Sequence, residues 1–112
     1  MDNEKDDKYY AIKSIDNIVA ISNYLGTKTF EEFISDAVLV DAIMFRLVQL
    51  IENIKYISPE FKMNNPQVPW SKIMGFRNGL VHEYGNTDYT IVYEVVSKNL
   101  SELKTVLETV VD

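Results

Sequence analysis

Reactive side chains are most densely grouped near position 80 of the 112-residue sequence. Arg77, Asn78, His82, Glu83 and Tyr84 all lie within the stretch FRNGLVHEYG. Histidine is the side chain that ordinarily titrates near neutral pH, so an imidazole can both accept and donate a proton during one turnover. The guanidinium of arginine is a planar cation that binds a phosphate through two parallel hydrogen bonds. The stretch therefore predicts a site that binds phosphate and moves protons.

Histidine and arginine together suit the cleavage of RNA by transesterification. A base removes the proton of the 2′-hydroxyl, an acid protonates the leaving oxygen, and a cation stabilises the crowded phosphate, without a metal. We interpret His82 as the base and acid, Arg77 as the phosphate ligand and Asn78 as a supporting residue. A purely structural interpretation remains open, because a histidine at a helix C-terminus commonly binds the last carbonyls and an arginine is commonly a solvated edge residue.

Helical geometry separates the two catalytic candidates. Positions 77 and 82 lie about 140° apart around an ideal helix, whereas positions 78 and 82 are one turn apart on the same side. Arg77 and His82 can meet if two copies of the helix face each other across a twofold axis, or if the helix frays after Val81. We therefore expect a homodimer.

The composition excludes several other classes of site. The sequence has no cysteine and a single histidine, so disulfides and cysteine- or histidine-rich metal sites are excluded. There is no glycine-rich phosphate loop. We expect no metal site and no cofactor. The polar start MDNEKDDKYY and the lack of about 18 consecutive apolar residues predict a cytoplasmic protein without a membrane span.

The net charge of −6 is unevenly distributed along the chain. Residues 1–41 carry −5 and residues 83–112 carry −4, whereas residues 42–82 carry +3. The cations of this middle segment are Arg46, Lys55, Lys62, Lys72 and Arg77. A polyanion such as RNA is therefore expected to bind the middle segment.

Apolar residues recur at helical spacing along most of the chain, and no alternating pattern typical of strands occurs. The first predicted helix covers 8–25 and ends at Gly26. A Thr29–Glu32 capping box opens a short turn, and a second start at Ser35 or Asp36 precedes a helix from Ala37 to about Ile57, which Pro59 ends. A proline-rich connection over 58–69, with at most one turn near Phe61, leads to a helix from Pro69 to Gly85 and to a last helix capped by Thr87 or Asp88. The fold class is all-α, an antiparallel bundle of four to five helices forming one domain over 1–112.

The spacing of Arg77, His82 and Tyr84 matches a family motif. It resembles the Arg-x4-His-x-Tyr signature of HepT-like toxins in the HEPN superfamily. The resemblance extends over residues 69–104, which are similar to the second half of these proteins, and over residues 30–54, which are similar to their first helices.

The resemblance implies a homodimer whose shared cleft cleaves RNA without metal, with Arg77 and His82 as catalytic residues. It also implies a toxin of a type VII toxin–antitoxin system, neutralised by an MNT-type nucleotidyltransferase antitoxin that transfers AMP to Tyr84. Relatives often carry Gly-Glu-Ala where this chain has Ile51, Glu52 and Asn53. Only the acid is kept, and Glu52 is the residue expected to orient Arg77.

A second interpretation belongs to a different class of protein. The same fold could act as a non-catalytic binding module that partners a nucleotidyltransferase. The acidic overall charge favours it, because a negative protein captures free RNA poorly.

Overall fold

The computed structural model describes residues 5–82 and 87–111, with the backbone alone at 81 and 82. The helices are α1 (Asp7–Leu25), α2 (Phe30–Ile34), α3 (Ala37–Lys55), α4 (Pro59–Asn64), α5 (Trp70–His82), and a last continuous helix formed by α6 (Tyr89–Glu94), a π-helical segment (Val95–Asn99) and α7 (Leu100–Val111). The described residues contain no strand. The predicted all-α class is confirmed. The residues that the structure describes form four long and two short helices, where four to five helices were predicted.

Side-chain caps begin most of these helices, as the sequence predicted for three of them. The capping box is present, since Thr29 Oγ1 accepts a hydrogen bond from the Glu32 N–H and Glu32 accepts one from the Thr29 N–H. Asp36 caps α3, and Asp88, rather than Thr87, caps α6. The predicted closure at Gly85 lies outside the described residues.

The extra helix is α4, which the sequence suggested only as a possible turn. Pro59 was expected simply to end the preceding helix, but α3 ends at Lys55 and Pro59 occupies the first turn of α4. Ser58 accepts a hydrogen bond from the Phe61 N–H, and proline lacks the N–H that a first turn leaves unpaired, so this sequence starts a helix.

Long-range contacts show that α1 and α3 run antiparallel. At one end, the Asp7 carboxylate accepts hydrogen bonds from Ser58 N–H at 2.8 Å and Ser58 Oγ at 2.6 Å. In the middle, Arg46 of α3 donates to Asn17 of α1. The start of α1 therefore lies beside the end of α3. Burial lowers the pKa of the nearby Lys62 ammonium, and Asp7 partly opposes this shift.

The hydrophobic core lies between α1, α3 and the last helix. Its most deeply buried side chains include Ile21, Phe33, Ile43, Leu47, Ile54 and Leu107. α5 packs mainly against α3, and an apolar groove of about 710 Å³ separates it from the last helix. None of the helices described is both long and apolar enough to span a bilayer. α5 is therefore held in place mainly by α3.

Candidate active site around Arg77

The Arg77 side chain of α5 is held by Glu52 of α3. Arg77 Nε lies 2.6 Å from Glu52 Oε2, and Arg77 Nη2 lies 2.5 Å from the same oxygen. The two side chains are 25% and 32% exposed, so the pair is partly shielded from water. A charge-assisted contact at this distance orients the guanidinium strongly. Among the described residues, this one carboxylate oxygen is the partner that the structure gives for Arg77.

Helical periodicity explains why Glu52 faces α5. Ile51 and Ile54 are buried in the core, and Glu52 lies at the edge of that apolar face. On α5, Leu80 is 2% exposed and anchors the helix one turn beyond Arg77. The buried apolar neighbours therefore bring the two charged groups together at the rim of the core.

Asn78 lies on a different side of α5 from Arg77. It is exposed, and helical geometry places it about 100° from Arg77 and about 40° from position 82. No contact joins Asn78 to Arg77 among the described residues. Gly75 and Gly79 line a pocket between α5 and the start of the last helix, and a methyl group at either position would meet no described atom within 4 Å.

The remaining candidates are located only in part. His82 is the last residue of α5, and its side chain lies outside the described part of the structure. Tyr84, the expected AMP acceptor, also lies outside it. The structure therefore brings Arg77 and Glu52 together and places position 82 at the end of the same helix. In the part of the chain that is described, no cluster of three or more His, Cys, Asp or Glu side chains is arranged to hold a metal ion.

Sequence reasoning included Arg46 among the cations of the middle segment but missed that other side chains hold it in a fixed orientation. Arg46 of α3 donates hydrogen bonds to the Tyr24 hydroxyl and to the Asn17 side-chain carbonyl, both on α1. The available signal was the seven-residue spacing of Asn17 and Tyr24, which places two polar residues on one side of α1. Periodicity alone does not show which residue of another helix meets them.

Comparison with known proteins identifies relatives over most of the chain. The family model described as "Ribonuclease HepT-like" matches residues 14–110. A protein of Caldanaerobacter subterraneus subsp. tengcongensis, named as a putative RNase, is 37% identical over 76 residues, which are 68% of each chain. One of Methanocaldococcus jannaschii, also named as a putative RNase, is 26% identical over 91% of each chain.

A further relative carries the family name itself. The protein named "Probable ribonuclease HepT" from Thermococcus cleftensis is 28% identical over 87 residues, which are 78% of this chain and 79% of that protein. No solved structure matches the chain. The family model covers the chain from within α1 to near the end of α7 and includes the Arg77–Glu52 pair. The chain belongs to the HepT-like ribonuclease family.

Proposed function

We propose that this chain is a metal-independent endoribonuclease, and that it acts in the cytoplasm as the toxin of a type VII toxin–antitoxin pair. The observation that carries the proposal is the Glu52-oriented guanidinium of Arg77, five positions before a histidine on the same helix. The family of ribonucleases to which the chain belongs supports it. So do the relatives named as RNases.

In the proposed reaction, His82 removes the proton from a 2′-hydroxyl of RNA. The 2′-oxygen attacks the adjacent phosphorus, and the 5′-oxygen of the next nucleotide leaves with a proton returned by the imidazole. The products are a 2′,3′-cyclic phosphate and a 5′-hydroxyl. Arg77 stabilises the charge on the phosphate oxygens through the guanidinium N–H groups that do not contact Glu52, and Asn78 supports the substrate from the His82 side of α5.

Within one protomer, Arg77 and position 82 lie on different sides of α5, and we propose that a homodimer brings an arginine and a histidine together. Arg77 is directed toward Glu52 on α3, whereas position 82 lies about 140° away around α5. Val38, Phe45 and Glu52 recur every seven residues and so share the outer face of α3. Val38 is 79% and Phe45 61% exposed, so an uncovered apolar surface leads directly to the Glu52–Arg77 pair. Contact between two copies here would bring the arginine of one near the histidine of the other.

Regulation is proposed to act on the tyrosine of the motif. An MNT-type nucleotidyltransferase would transfer AMP from ATP to the Tyr84 hydroxyl and release pyrophosphate. The support is the position of Tyr84 two residues after His82 in a chain of this family. The added nucleotide places bulk and negative charge where an RNA phosphate would bind, so cleavage stops without unfolding.

A second candidate is a non-catalytic binding module that partners a nucleotidyltransferase. The net charge of −6 favours it, as does the compensation of Arg77 by Glu52, because both weaken the capture of free RNA.

The two candidates are separated by a cleavage assay in the presence of a chelator. The native chain and a Lys98→Ala control, which removes an exposed cation of the last helix, are expected to cleave RNA equally. Arg77→Ala and His82→Ala are expected to lose about 100-fold or more, because each removes a catalytic contribution of that size. Circular dichroism verifies that all four chains are helical. Equal cleavage by all four would indicate contamination and favour the binding module.

A further inference from the structure

Arg46 is a half-buried cation fixed by neutral groups. Its Nε donates to Tyr24 Oη and its Nη1 to Asn17 Oδ1, each at 3.3 Å. Its guanidinium carbon also lies 5.9 Å from the centre of the Tyr24 ring, within the range of a cation–π contact. Three contacts on α1 thus restrict a side chain that would otherwise be flexible.

The orientation of the Asn17 side chain is itself fixed by burial and by a hydrogen bond. Its side chain is 6% exposed, and its Nδ2 donates to the Lys13 carbonyl at 3.0 Å. Because the amide nitrogen is committed to that carbonyl, the amide oxygen must face Arg46. A buried polar residue is therefore used to orient a cation at the edge of the α1–α3 contact.

The groups that surround Arg46 differ in charge from those that surround Arg77. A partly buried arginine usually recovers its lost hydration through a carboxylate, as Arg77 does with Glu52. The hydrogen bonds that the described residues provide to Arg46 come from an amide and a phenol. These contacts use Nε and Nη1 of Arg46, and neither of the two acceptors carries a negative charge.

We propose that Arg46, held by Asn17 and Tyr24, binds a second phosphate of the RNA strand that is cut at Arg77. The inference rests on the proposed ribonuclease function and adds a position that the motif does not contain. Arg46 lies six residues before Glu52, which is about 9 Å along α3 and about 120° around it. Glu52 lies on the outer face of α3, where the second copy is proposed to bind, whereas Arg46 lies at the edge of that face beside α1. Arg46 therefore contacts a phosphate other than the one that is cleaved.

The charge distribution explains why such a position is needed. The chain carries −6 overall, and Glu52 already offsets the charge of Arg77. Affinity for RNA comes mainly from cations that displace counterions from phosphates. A pre-oriented arginine loses less side-chain entropy on binding than an exposed lysine does.

The test measures the binding of a fluorescent single-stranded oligoribonucleotide across a salt series, in a His82→Ala background that prevents cleavage. Arg46→Gln is expected to weaken binding about five- to tenfold at 50 mM salt and to reduce the slope of log affinity against log salt by about 0.7. Lys98→Gln, which removes one exposed positive charge elsewhere, is expected to change neither.

Equal affinity and slope for Arg46→Gln and Lys98→Gln would overturn the inference and make Arg46 a packing residue. If Arg46→Gln does not fold, Tyr24→Phe decides, because it keeps the charge of Arg46 and removes a hydroxyl that orients it. Weaker binding with a retained slope supports the phosphate contact, and unchanged affinity overturns it. The ribonuclease proposal is tested separately, through Arg77 and His82 in a chain with Arg46 intact. The two can therefore fail independently.

Discussion

Glu52 and Arg77, 25 residues apart in the chain, meet through a single carboxylate oxygen at the contact between α3 and α5. One oxygen receives both Nε and Nη2, so the guanidinium is oriented without being fully enclosed. Glu52 is thus a positioning residue for the proposed phosphate ligand.

Removing this support should reduce cleavage more than stability. We expect Glu52→Ala to lower kcat/KM roughly tenfold, because an unrestrained guanidinium spends less time in the productive geometry. Glu52→Gln should retain more activity, since its amide oxygen still accepts from Arg77. The free energy of unfolding should fall by about 1 kcal/mol or less, as for other partly exposed ion pairs. Native kinetics in Glu52→Ala would show that Glu52 does not position Arg77.

Mixing inactive subunits should restore activity if the site is shared. In a hybrid dimer of Arg77→Ala and His82→Ala chains, one of the two shared sites has both an intact arginine and an intact histidine. Equal mixing after refolding should therefore give about a quarter of native activity, because about half the dimers are hybrids. The measurement is RNA cleavage by the mixture, with each variant alone as control. No recovery, despite a hybrid dimer seen by mass spectrometry, would place both groups in one protomer.

The products should reveal the nucleophile. If the 2′-oxygen attacks, the cleaved RNA carries a 2′,3′-cyclic phosphate and a 5′-hydroxyl, and a single 2′-deoxy nucleotide before the cleaved bond blocks the reaction. Gel mobility before and after phosphatase and kinase treatment distinguishes these ends. Cleavage at the deoxy position would mean that water or another group is the nucleophile.

Tyr84→Phe should leave RNA cleavage intact and prevent its inhibition by AMP transfer. The substitution removes the acceptor hydroxyl and leaves the proposed catalytic groups, so RNA cleavage should continue. Incubation with ATP and an MNT-type nucleotidyltransferase should inactivate the native chain and add one AMP, detected by mass spectrometry. The Tyr84→Phe chain should remain active and unmodified. Modification of Tyr84→Phe would place the acceptor elsewhere.

Trp70 should contribute to stability by joining α4 to α5. Its Nε1 donates to the carbonyls of Lys62 and Asn65 at 3.1 and 3.0 Å. Trp70→Phe leaves these carbonyls without that donor and should lower the free energy of unfolding by about 1–3 kcal/mol. Urea denaturation followed by circular dichroism measures the change. An unaltered midpoint would show that water replaces the indole without cost.

Local physical chemistry accounts for what the sequence determined by itself. Helical periodicity, the Thr29–Glu32 capping box and the caps at Asp36 and Asp88 involve residues a few positions apart, so the composition of a short segment is enough to predict them. The motif around Arg77 likewise lies in one stretch, and it led to the family that the comparison confirmed. Helix α4 was underestimated because Pro59 can either end a helix or begin one.

Only the tertiary structure decided which distant side chains meet. The Glu52–Arg77 and Asn17–Arg46 contacts join residues 25 and 29 positions apart, and each depends on how one helix is rotated against another. That rotation is set by the packing of buried residues such as Leu47, Ile54 and Leu80, whose side chains must interlock without voids. A helical pattern shows which face is apolar. The matching of two such faces is a property of the assembled core. It determined that Arg77 contacts a carboxylate, whereas Arg46 contacts an amide and a phenol.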